Sequence, residues 1–69
     1  MNKNWINYYI YLETLRRSGV TNMYGAAIYL QEHFDMDYSL AVIILGNWMD
    51  YYDLIINYLT QNNLIEGEN

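Results

Sequence analysis

The chain is 69 residues long, has no cysteine and no proline, and carries eight acidic against three basic side chains, for a formal net charge of −5. That length allows one small domain, which hides roughly 60% of the surface its unfolded form exposes, and the missing cysteines exclude disulfides and thiol redox chemistry. All three cations, Lys3, Arg16 and Arg17, lie before residue 18 and seven acids follow them, which speaks against direct binding of DNA or RNA and against attachment to an anionic membrane.

Three segments repeat apolar residues at helical spacing, and none sustains the alternation of a strand. The first runs from Asn4 to Arg17, with Trp5, Tyr8, Tyr9, Leu12 and Leu15 in one stripe. Arg16 and Arg17 complement the dipole at its end, and Gly19 suits the left-handed position that closes many helices. The second starts at Thr21 or Asn22, both good N-caps, and reaches Phe34 through Met23, Ala26, Ala27 and Leu30. Its small residues Gly25, Ala26 and Ala27 allow another helix to approach closely.

Asp35-Met36-Asp37 interrupts the period, and Asp37 or Ser39 can cap a third, long helix from Ser39 to Gln61. That segment has two apolar stripes: Val42, Leu45, Met49, Tyr52, Ile56 and Leu59 on one face, and Ile44, Trp48, Tyr51, Ile55 and Tyr58 on another. A helix of a three-helix domain needs one apolar face, so something further has to cover the second. Gly46-Asn47 is the expected weak point, because glycine costs about 1 kcal/mol in a helix interior.

The expected fold is therefore all-α: a small three-helix bundle with a long apolar third helix, or four helices if the chain breaks between Gly25 and Ile28 or near Gly46. Residues 1–64 are expected to form one helical domain and residues 65–69 a frayed acidic tail. The expected core is Trp5, Leu12, Leu15, Met23, Leu30, Phe34, Leu45 and Met49. The second stripe of the third helix is the expected seam of a homodimer or higher oligomer. The longest apolar run, Leu40 to Leu45, is too short to span a bilayer, and Met-Asn-Lys-Asn-Trp opens no apolar secretory stretch, so the expected location is the cytoplasm.

Chemistry finds little purchase. His33 with Glu32, Asp35 and Asp37 is the one cluster with metal-ligand character, but a single histidine among carboxylates at a helix end suits capping better than zinc, and the spacing lacks the glycine of a calcium loop. Ser18, Thr21 and Ser39 have capping roles and no base beside them, and Gly19 and Gly25 make no phosphate loop. The second and third helices hold no Lys or Arg with which to read DNA. No enzymatic activity, metal or cofactor is expected.

The stretch Ser18-Gly19-Val20-Thr21-Asn22-Met23-Tyr24-Gly25-Ala26-Ala27, followed by Tyr29-Leu30-Gln31-Glu32, Ala41, Leu45 and Trp48-Met49, resembles a group of short helical proteins encoded by phages and prophages. The resemblance covers about residues 5–50 and its specific part is the central ten. Members tend to have proline where this chain has Ile28, and the extension after Met49 also departs from the pattern. The group carries no assigned activity, so it brings no functional residues.

What the resemblance implies is a small phage protein that binds a host protein and blocks or redirects it. Nine tyrosines point the same way, since an apolar body with a wet hydroxyl suits a protein interface. The expected function is thus non-enzymatic binding of a host protein, of the defence or nucleic-acid-processing kind. The expected partner or dimer surface is Ile44, Trp48, Asp50, Tyr51, Asp53, Ile55 and Tyr58. The alternatives are an acidic DNA mimic, for which Asp50, Asp53, Glu32, Asp35 and Asp37 give some footing, and a structural or adaptor homo-oligomer.

Overall fold

Asparagine side chains open the two 3-10 turns in the computed structural model, which describes residues 1–67. The Asn2 side chain accepts from the Asn4 N–H at 2.8 Å and opens a 3-10 turn, Lys3–Trp5, that runs directly into α1, Ile6–Ser18. Gly19 closes α1 at φ 70°, donating its N–H to the Arg16 carbonyl. The Asn22 side chain then accepts from the Gly25 N–H at 2.9 Å, opening a second 3-10 turn, Met23–Gly25, before α2, Ala26–Phe34. The expected second helix is thus a 3-10 turn and an α-helix joined at Gly25-Ala26. A Cβ on Gly25 would stand 2.7 Å from Thr21 Oγ1, so a larger residue there requires the Thr21 side chain to shift.

Asp35 ends α2 in the left-handed region at φ 53°, which aspartate tolerates better than most residues. Asp37 stands extended at the N-cap of α3, Tyr38–Asp50, although its side chain makes no capping bond. The long third helix is not continuous. It breaks at Tyr51, and α4, Tyr52–Gln61, leaves α3 bent by 83°. Gly46, the expected weak point, stays helical.

The reason for the bend is burial. It turns Ile55 and Leu59 onto the core, where neither keeps any exposed surface, while Tyr51 N–H closes α3 on the Asn47 carbonyl and Ile55 N–H opens α4 on the Tyr51 carbonyl. Of the second stripe, Ile44, Trp48 and Ile55 are buried by the chain itself, whereas Tyr51 is exposed and Tyr58 half-buried. The molecule has four α-helices, and the third expected segment divides at Tyr51 rather than near Gly46.

The core is Tyr9, Leu12 and Leu15 of α1, Ala26, Ala27 and Leu30 of α2, Ala41, Ile44, Leu45 and Trp48 of α3, and Ile55 and Leu59 of α4. The buried alanines let α2 and α3 pack closely. Of the residues expected inside, Leu12, Leu15, Leu30 and Leu45 are buried, while Trp5, Met23, Phe34 and Met49 pack half-buried around them. Tyr9 is wholly buried because its hydroxyl is answered twice: it donates to Asn47 Oδ1 and accepts from the Asn2 N–H at 3.0 Å.

Beyond α4 the chain folds back. Asn63 adopts φ 57°, Leu64 N–H reaches the Leu59 carbonyl, Ile65 packs half-buried against the core, and Arg17 Nη2 donates to the Glu66 carbonyl at 2.7 Å. The remainder of the expected tail, Glu68 and Asn69, lies outside the described residues. Among the described residues there is no strand, and no single helix is long and apolar enough to cross a membrane.

Gly46 yields a first prediction. A Cβ there meets nothing within 4 Å, so Gly46→Ala gains helix propensity without a clash. Stability should rise by about 1 kcal/mol, seen as a higher urea midpoint; a fall would mean the helix face is not open at that point.

Candidate protein-binding surface

Glu13 is the buried charge of this protein, with 1% of its surface exposed. It sits one helical turn before Arg16 and Arg17, which wrap back onto it: Arg16 Nε and Nη2 donate to its two oxygens at 2.9 and 2.8 Å, and Arg17 Nε donates at 2.7 Å. Tyr52 of α4 donates its hydroxyl from the other side at 3.1 Å. Burial alone would push the Glu13 carboxyl up, but the hydrogen bonds from Arg16 and Arg17, the Arg16 charge and the Tyr52 hydroxyl outweigh it and hold the carboxyl below its ordinary range. Burial and the neighbouring Glu13 charge push the Tyr52 phenol up. The cluster ties α1 to α4, and Arg17 extends it to the returning tail.

Above this cluster lies a groove of about 290 Å³ lined by Arg16, Met23, Tyr24, Trp48, Met49 and Tyr52. Trp48 and Tyr52 meet edge to face with ring centroids 4.7 Å apart, and the Arg16 guanidinium lies 5.7 Å from the centre of the Tyr52 ring. Two features stand out. The Trp48 Nε1–H is buried without an acceptor, which costs roughly 1–3 kcal/mol in the free protein. Tyr24, held on the 3-10 turn at the groove's edge, is 85% exposed, the most exposed of the large hydrophobic side chains. Aromatic, methionine and arginine side chains together match the composition enriched at protein interfaces.

The residues expected to form the interface separate into two groups. Ile44, Trp48 and Ile55 are core, with Trp48 alone also lining the groove. Asp50, Tyr51 and Asp53 are exposed at the corner between α3 and α4, and Tyr58 is half-buried with the Lys3 ammonium 5.7 Å from its ring centre. Tyr24 and Arg16 were not in the expected set. Tyr24 lies off every helical stripe, on a turn, and its exposure follows from the Asn22 cap.

The acids do not form one track. Glu13 is internal, Asp35 and Asp37 sit at the α2–α3 junction, and Asp50 and Asp53 lie at the opposite end of α3. His33 stacks on Tyr11 at 4.3 Å, and no group of three or more potential metal ligands occurs among the described residues. Ser18 Oγ donates to the Leu15 carbonyl and accepts from the Val20 N–H, a helix-end role. Comparison with known proteins adds nothing to this geometry: no family model, no curated protein and no solved structure matches the chain.

Proposed function

We propose that this is a non-enzymatic protein that binds another protein through the Tyr24 groove and the acidic corner beside it. The observation that carries the reading is Tyr24, 85% exposed at the edge of a groove lined by aromatic, methionine and arginine side chains. An aromatic side chain left open to water beside an apolar groove is poorly satisfied alone, and a partner that covers it removes that apolar area from water. Asp50 and Asp53 steer the approach of a basic rim, adding mainly to association rate. The resemblance of Ser18–Ala27 to phage-encoded chains supports the setting: the partner is a bacterial host protein, of the defence or nucleic-acid-processing kind, which the chain blocks or redirects in the host cytoplasm.

The test is capture from a bacterial lysate on immobilised protein, followed by mass spectrometry, with wild type and Tyr24→Ala side by side. Tyr24 makes no contact on which the fold depends, so the variant should melt like wild type. A partner kept by wild type and lost from Tyr24→Ala is the expected result. Equal retention by both would remove the groove from the interface.

A further inference from the structure

The outward face of α3 is a second unpartnered surface. Ser39, Ile43, Gly46 and Asp50 follow one another at three- and four-residue steps, with Val42 beside Ile43, on the side away from the buried Ala41, Ile44, Leu45 and Trp48. Val42 is 44% and Ile43 59% exposed, and the open space at Gly46 forms a notch beside them. From Tyr38 to Met49 there is no charge, yet both ends are acidic: exposed Asp35 and Asp37 precede the helix, and exposed Asp50 and Asp53 follow it, roughly 20 Å away by helix rise. All three cations are engaged elsewhere, Arg16 and Arg17 on Glu13 and Lys3 over Tyr58.

We propose that this face docks a basic amphipathic helix of a protein partner, its apolar ridge over Val42, Ile43 and the Gly46 notch and its Lys or Arg side chains at the acid pairs on either end. The inference rests on the reading that the chain acts by binding a protein, and it adds the partner's chemistry. Charge selects the occupant. A second copy laid antiparallel would set Asp37 against Asp50, and laid parallel would set each acid against itself, so either self-pairing is repelled at both ends. Anionic lipid is repelled for the same reason.

The full-length protein is titrated with a fluorescently labelled Leu/Lys amphipathic helix about five turns long, and with its Leu/Glu counterpart. The Lys peptide should bind, more weakly as salt rises, and the Glu peptide should not. Ile43→Glu should weaken the Lys peptide about tenfold or more although it adds a favourable charge, because the apolar contact is lost. Gly46→Leu, whose Cβ meets nothing within 4 Å, should do the same while melting no lower than wild type, and Tyr24→Ala should leave peptide binding intact.

Equal or tighter binding of the Lys peptide by Ile43→Glu would overturn the proposal, as would equal binding of the Glu peptide. So would a wild-type dimer in sedimentation that dissolves in Ile43→Glu, or phosphatidylcholine vesicles that take up wild type and not Ile43→Glu. If only this series fails while Tyr24→Ala still loses its captured partner, the groove stands and the α3 face falls. The reverse pattern removes the groove and keeps the face.

Discussion

Ile55→Asp should abolish the fold rather than release a folded monomer. Ile55 has no exposed surface and sits where the 83° bend turns α4 onto the core. Losing its burial costs about 1.5–3 kcal/mol, and an aspartate in its place is either desolvated without a partner or neutralised at further cost, which brings the total above roughly 4 kcal/mol. A chain of this length is stabilised by only about 3–10 kcal/mol. The helical circular dichroism signal should therefore be largely lost at 25 °C. A folded, monomeric Ile55→Asp would mean that this side chain belongs to an intermolecular seam and that α3 and α4 do not bend as described.

Glu13 carries the second large effect. Glu13→Ala leaves Arg16, Arg17 and the Tyr52 hydroxyl converging on an empty buried site. Removing one partner of a buried ion pair costs about 3–5 kcal/mol, and the lower end applies because the arginine side chains are 33% and 30% exposed and can turn to water. With a urea slope near 1 kcal/mol/M, the midpoint should drop by about 3 M. Glu13→Gln keeps the shape and should lose less.

The pH dependence has a definite sign. The carboxyl is held below its ordinary value of 4.5 in the folded protein, so its contribution is complete above that pH and is lost as pH falls through the lower folded value. Wild-type stability should decline across that acid window, and Glu13→Gln should show a shallower decline. Parallel acid limbs would mean that Glu13 is not ionised in its buried site.

These two positions also mark what the sequence could and could not convey. The first helix was legible nearly to the residue because Gly19 and Asn22 are strong punctuation, and both act as their chemistry requires. The bend at Tyr51 was not. No glycine, proline or capping residue marks it, and the 3–4 apolar spacing runs on through it, so one long helix with two stripes and two short helices with one each read alike. Only the third dimension shows that the second stripe has a home.

Glu13 was hidden for a related reason. A glutamate followed by arginines three and four residues later is the pattern of a solvated helix surface, and what buries it is Tyr52, 39 residues further on. The exposed half of the expected interface, Asp50, Tyr51 and Asp53, could be read from charge and polarity, whereas Tyr24 gave no periodic signal at all.

The central claim, that a partner closes the Tyr24 groove, is tested most directly by the indole N–H resonances. The chain has two tryptophans, so a proton–nitrogen correlation spectrum of the labelled protein gives one indole signal for the buried Trp48 and one for the half-buried Trp5. Once a captured partner is added, the signals of Tyr24 and Met49 and of the Trp48 indole beside them should shift, with little change at Trp5. A bound complex in which the Trp48 indole and Tyr24 keep their free positions would contradict the account.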